Sequence, residues 1–222
     1  MESFRPPKQR RSQETLARFL EATQDLLQQK HFDNISVNEI VGRAESSVGA
    51  FYSRFHDKEA LLLCLREAFA RDADEQSRRL AASWDRGPVP LETAVVQFVG
   101  MLVDQHRRHR GTLRALVGRS IAARSIEGIA GGARPSGTET MGQAAFLELM
   151  IARRSEITHP NPDVAAHLGL AMVTAAVRET ILFPELSTSA KPTAPLTDAV
   201  LVDELSRALL GFLGVNAGQR SR

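Results

Sequence analysis

A tyrosine at position 52 and a lysine at position 58 stand six residues apart, beside the ends of short predicted helices. Tyr52 offers a rigid hydroxyl that can hydrogen-bond a phosphate while its ring stays packed. Lys58 puts a point charge at the positive end of a helix that opens near Asp57, where phosphate is favoured. Ser36 and Ser47 sit at two further helix starts and can present hydroxyls and backbone N–H groups to a phosphodiester chain. Such contacts position a protein on nucleic acid but carry no sequence information. Base reading would fall to Val37, Val48, Gly49, Ala50 and Ser53. Val48 and Ala50 offer only apolar contact, typically to a thymine methyl, so readout leans on DNA shape. Catalysis is not indicated. The histidines are scattered or lie in basic runs, and no His/Cys/carboxylate spacing fits a metal site. We therefore expect no catalytic residue, no metal and no cofactor.

The elements that must position these residues run from Ser36 to Leu62. Ser36 precedes Val37 and has Glu39 three residues on, the reciprocal capping pattern. That predicts a helix to Ala44, a turn at Glu45 and Ser46, a second helix from Ser47 to Tyr52 and a third from Asp57, each start with a side-chain cap. Ile40, Val41 and Ala44 face one way, as do Val48, Phe51 and Phe55, so the two short helices can clasp one apolar nucleus. Neither is long enough to be stable alone. Two short helices joined by a tight turn form the helix-turn-helix unit, whose second helix enters a major groove.

The run Val48-Gly49-Ala50-Phe51-Tyr52-Ser53-Arg54-Phe55-His56-Asp57-Lys58-Glu59-Ala60-Leu61 resembles the signature of the TetR (tetracycline-repressor-like) family. Gly49, Phe51, Tyr52, Phe55, Lys58 and Leu61 fall in its register. The resemblance implies a phosphate contact at Arg54, and a role in minor-groove or phosphate contact for a basic N-terminal arm, residues 1–11, that includes Arg10 and Arg11. Three positions depart from the family pattern: Glu45 where Gly is usual, Ser46 where an apolar residue is usual, and Val41 where Ala is usual. A positive φ at Glu45 would be unfavourable for a residue with a Cβ.

Composition bounds the rest. The 222 residues are 43% hydrophobic and 24% charged, ordinary for a soluble globular chain able to bury a core. A net charge of +2 is too small to argue for nucleic acid. In residues 1–60 nine Lys/Arg meet nine Asp/Glu, so basic charge is local. Cys64 is the single cysteine, which excludes an internal disulfide, and its leucine neighbours predict a small buried hydrophobe. No signal-peptide pattern and no long apolar run is evident, so the expectation is a cytoplasmic protein with no membrane partner.

The remaining pattern is helical. Leu16, Phe19, Leu20, Thr23, Leu26 and Leu27 make one core face of a helix from Ser12 to Lys30. A long helix runs from Lys58 to about Trp84 without Pro or Gly, stopped by Gly87-Pro88. Further helices are predicted over Leu91–Arg110, Gly111–Ser125, Thr138–Ser155, 163–183 with Asp163 as cap, and 197–213. The Gly-rich stretch 128–137 and residues 188–195 read as loops, and the run His106 to Arg110 as a solvated basic end. The expected fold is all-α with about nine helices: an N-terminal three-helix DNA-binding domain over 12–57 and a larger helical domain over 58–222.

The helix 163–183 is apolar on more than one face and must be covered on most sides. The resemblance implies that it pairs with the last helix in a homodimer interface, through Val173, Val177, Ile181, Leu201, Leu205, Leu209 and Phe212. It also implies a pocket for an unknown small-molecule effector, with Met101, Gln105, Met150, His167, Met172 and Arg178 as candidate lining. The expected partners are double-stranded DNA bearing a palindromic operator, a second copy and the effector. The expected function is a sequence-specific transcriptional regulator, a repressor released by its effector. The rival reading is a helical adaptor that binds protein and has lost DNA reading, motivated by Glu45, Ser46 and the neutral N-terminal part.

Overall fold

The computed structural model describes residues 10–85, 87, 89–127, 141–186 and 196–215. Among them are nine α-helices: α1 Arg10–Leu27, α2 Val37–Arg43, α3 Val48–Tyr52, α4 Lys58–Asp85, α5 Leu91–Arg108, α6 Arg110–Glu127, α7 Met141–Ala152, α8 Pro162–Leu182 and α9 Asp198–Leu213. Three short 3-10 turns join them and no β-strand is present among the described residues. The all-α expectation holds. Residues 1–9, the Gly-rich stretch 128–137 and the expected loop 188–195 lie outside the described residues.

The chain divides into two compact units, and the division is not the contiguous one expected. The first gathers the described residues up to Ala70 together with those from His109 to the end of α6; the second holds Arg71–Arg108 and the remainder. Thus α6 packs with the N-terminal helices, against α1.

The first unit has the predicted nucleus. Phe19, Phe51 and Phe55 are fully buried, with ring centroids 5.7 Å (Phe19–Phe51), 6.0 Å (Phe19–Phe55) and 5.1 Å (Phe51–Phe55) apart. Edge-on arrangements at this spacing add to area burial. Ile40, Val41, Ala44, Phe32, Ile35 and Cys64 are buried around them. Val48, expected in this nucleus, is 41% exposed instead.

In the second unit α5 packs on α8 and α9, and α7 on α8. Phe98 stacks on Phe146 at 4.0 Å, and Trp84 closes the cluster while its Nε1 donates to Gln97 Oε1 at 2.8 Å. At Gly169 an added Cβ would lie 2.5 Å from Leu209 Cδ1, so a larger residue there would require the Leu209 side chain to shift where α8 crosses α9. The cap of α8 is Asn161, whose side chain accepts from Val164 N, with Pro162 in the first turn. Asp163 is therefore not the cap, because Pro162 lacks an N–H and begins the helix one residue earlier. By length and composition α8 is long and apolar enough to cross a membrane, contrary to the sequence reading, although it is a packed helix of this unit.

The basic run 106–110 is not simply solvated. Arg107 pairs with Asp198, Arg108 with Asp104 and Asp72, and the His109 ring lies 5.1 Å from that of Phe69.

Candidate nucleic-acid interface

The local structure of residues 36–60 follows its caps. Ser36 Oγ accepts from Glu39 N at 3.2 Å while Ser36 N donates to Glu39 Oε2 at 2.9 Å, closing the predicted capping box of α2. The Glu39 carboxyl is held down at about 2, first by its hydrogen bond from Lys30 and then by the Ser36 donors. Ser47 Oγ accepts from Ala50 N at 3.1 Å to start α3, and Asp57 Oδ1 accepts from Ala60 N at 2.8 Å to start α4. The Ala60 N–H bond, more than the His56 contact, lowers the Asp57 pKa.

The turn between α2 and α3 carries the strain expected of Glu45. Its φ is +47°, the one positive φ at a non-glycine among the described residues. Ser46 N donates to Val41 O at 2.9 Å and Glu45 N to Gly42 O at 3.3 Å, the bond pattern that closes a helix through a left-handed residue. Arg18 Nη1 donates to Glu45 O at 3.3 Å, bracing the turn from α1.

With the nucleus filled by Phe51, α3 leaves one face open. Val48 is 41% and Tyr52 54% exposed, and Ser47, Gly49 and Ser53 are exposed beside them. Ala50 and Val37 are half-buried and Ser36 is exposed. At Gly49 an added Cβ would meet only Ser47 Oγ, at 3.9 Å. Folding places no steric demand for glycine there, so the bare backbone is free for a close external approach. The Tyr52 ring packs edge-on against Phe51 at 5.3 Å, which orients its hydroxyl.

Two expected phosphate contacts are placed differently. Lys58 is half-buried, and its Nζ donates to the carbonyls of Phe32 at 2.7 Å and Ile35 at 2.8 Å. Its ammonium is spent inside the unit, on the carbonyls of the 32–35 segment. Arg54 is half-buried with its Nε shielded and without a hydrogen-bond partner. Arg10 and Arg11 belong to the first turn of α1, so the helix begins inside the expected arm.

Sequence reasoning missed Arg119. From α6 it reaches Asp33 at 2.5 Å and Glu59 at 2.7 Å, with its guanidinium 5.3 Å from the centre of the Phe32 ring. It thus ties the segment before α2 to the first turn of α4, bracketing the helix pair. No local signal marks it, since its partners lie far away in sequence.

Residues 19–65 match the family model of bacterial regulatory proteins, tetR family. The chain carries a TetR-family DNA-binding domain. Its fold over nearly the whole length is that of TetR-family structures. A TetR-family protein of Mesorhizobium loti aligns with a TM-score of 0.67 at 17% identity, over 93% of this chain and 98% of that one. A TetR/AcrR-family regulator of Thermobifida fusca gives 0.56 at 18%, over 93% and 98%. A transcriptional regulator of Aquifex aeolicus gives 0.55 at 19%, over 88% and 97%. No curated protein sequence matches the chain. Within the matched domain the second helix of the helix-turn-helix is α3, and its outward face is open.

The dimer and effector residues expected from the resemblance are distributed otherwise. Val173, Val177, Ile181, Leu201 and Leu209 are buried in the chain's own core, and Leu205 and Phe212 are half-buried. The stripe left open on α8 is Val164, Leu168 and Met172, each about half exposed, with Ala171 and Ala175. On a helix apolar all round, spacing alone cannot say which stripe turns inward. Of the six effector candidates, Gln105 and Met150 are buried and Met101 is half-buried, whereas His167, Met172 and Arg178 are exposed. Met101 Sδ lies 4.0 Å from Ser77 Oγ, which makes it core filling between α4 and α5.

Proposed function

We infer that the protein is a homodimeric transcriptional repressor that binds a palindromic operator and is released by a small-molecule effector. The observation that carries this reading is the face of α3. Val48, Gly49, Tyr52 and Ser53 stand open while Phe51 anchors the helix from behind. A rigid short helix with small and apolar groups outward suits major-groove entry with thymine methyl contacts. Tyr52, Ser36 and Ser47 supply phosphate contacts.

Dimerisation is part of the proposal because two reading helices roughly 34 Å apart match successive major grooves. The second copy would cover the open stripe of α8, where Leu168 and Met172 are both 49% exposed. Release is a population shift, in which the effector favours a state whose half-site spacing no longer matches the operator.

The test is fluorescence anisotropy on DNA from just upstream of the protein's own gene, against a scrambled duplex and over a salt series. Specific binding weakened by salt and by Tyr52→Phe supports the regulator. Binding no tighter than to scrambled DNA, and indifferent to Tyr52→Phe, would favour the protein-binding adaptor. Leu168→Glu with Met172→Glu should give a monomer in sedimentation and lower operator affinity.

A further inference from the structure

Helix α6 is seated on α1 near its start and reaches forward from there. At Gly111 an added Cβ would lie 2.6 Å from Leu27 Cβ and 2.7 Å from Leu27 O, so the two helices meet almost backbone to backbone. Arg119 stands eight residues further on the same helix, about 12 Å along it at ~1.5 Å per residue. Its Nη2 meets Asp33 Oδ1 at 2.5 Å and Glu59 Oε1 at 2.7 Å. One nitrogen thus bridges two carboxylates, one ahead of α2 and one in the first turn of α4. Without that cation they would face each other as like charges, which repel.

The bridged segment sets where α2 begins. Phe32 and Ile35 are buried, and Lys58 Nζ donates to their carbonyls at 2.7 and 2.8 Å. The Lys58 ammonium and the Arg119 guanidinium lie 4.6 and 5.3 Å from the centre of the Phe32 ring. Lys58 therefore holds the backbone of this segment from α4, and Arg119 holds its side chains from α6. Directly after Ile35 comes Ser36, the cap of α2. With seven and five residues, α2 and α3 are too short to be stable alone and take their position from these attachments. Ser46 N donates to Val41 O across the turn between them, so a displacement of α2 carries α3 with it.

We propose that Arg119 is a positioning residue for DNA reading: from α6 it fixes the segment ahead of α2 against α4, and so sets the placement of α3. It touches no DNA itself. This role rests on the reading of α3 as a DNA-contacting helix. The Arg119 side chain is 42% exposed, and exposed ion pairs contribute little to global stability. Its loss is therefore felt in the placement of α2 and α3 more than in unfolding. Apparent affinity scales with the fraction of molecules that hold the competent geometry.

The test compares the full-length wild type with Arg119→Gln, Asp33→Asn and the double variant. Amide spectra without DNA come first. The signals of α3 should shift in either single variant while the unfolding midpoint stays close to wild type. The double variant should match Arg119→Gln, because the two residues act as one unit. If Arg119→Gln does not fold, Asp33→Asn carries the test. On the duplex from upstream of the gene, anisotropy should then show an affinity loss of about three- to tenfold. The slope of log affinity against log salt should not change. Signals of α3 that stay in place in folded variants would overturn the role, as would unchanged affinity for a duplex that wild type binds specifically. So would a slope reduced by about 1, which makes Arg119 a direct phosphate contact. If wild type does not prefer this duplex to a scrambled one while the α3 signals still move, the operator reading fails and the placement of α3 by Arg119 stands.

Discussion

Lys58 engages Phe32 twice: its Nζ donates to the Phe32 carbonyl at 2.7 Å and lies 4.6 Å from the centre of the Phe32 ring. A residue whose position in the TetR signature reads as a phosphate contact is here a strut. It joins the start of α4 to the segment that precedes α2. Lys58→Ala should therefore cost about 1.5–3 kcal/mol of stability, the range for hydrogen bonds to a charged group. DNA affinity would fall with it, but the slope of log affinity against log salt should not change. A slope reduced by about 1 would instead identify a direct phosphate contact.

Tyr52 separates folding from binding more cleanly. Its ring is half exposed, so Tyr52→Phe removes a hydroxyl at little cost to the nucleus. Unfolding midpoints should coincide with wild type, while operator affinity drops by about 1 kcal/mol. Equal affinities would remove Tyr52 from the interface.

Glu45 sits at φ +47°. Glu45→Gly should raise stability by about 1 kcal/mol, the left-handed penalty of a Cβ less the extra chain entropy of glycine. Denaturant unfolding measures this directly. A destabilised variant would mean that the Glu45 side chain makes a contribution larger than the strain.

Gly49 offers the opposite pattern. Gly49→Ala meets no atom closer than 3.9 Å, so it should stabilise α3 by up to about 1 kcal/mol through helix propensity. The same methyl stands on the reading face and should lower operator affinity. Gain in both stability and affinity would show that the backbone at 49 does not approach DNA.

Glu39 supplies a pH dependence. Its folded pKa, about 2, lies below the ordinary 4.5, so the Lys30 and Ser36 contacts contribute stability that is complete above about 4.5. That contribution is lost as pH falls from 4.5 toward 2. The stability gap between wild type and Glu39→Gln should be constant at neutral pH and close across this window. A gap that stays flat to pH 2 would mean that the carboxylate charge is irrelevant to the cap.

How much was legible in advance depended on how local the cause was. The capping box of Ser36 and Glu39, the Ser47 and Asp57 caps and the glutamate in a left-handed turn all act within a few residues. Each was readable from spacing. Phe19, Phe51 and Phe55 also declared themselves, because a small three-helix unit has few large apolar groups from which to build a centre. The α8 stripe was not legible: with apolar residues on nearly every face, either of two stripes satisfies the same periodicity.

By itself, then, the sequence determined the helices, the capped starts over residues 36–60 and the phenylalanines of the nucleus, since backbone hydrogen bonding and side-chain caps are settled among near neighbours in the chain. Tertiary structure alone decided what the charged groups do. Lys58 turned inward to the carbonyls of Phe32 and Ile35, Arg119 met Asp33 and Glu59, and Val173 and Val177 went to the core while Leu168 and Met172 stayed outside. A cation takes whichever acceptor the fold brings within about 3 Å, and that distance is set by packing between elements far apart in sequence.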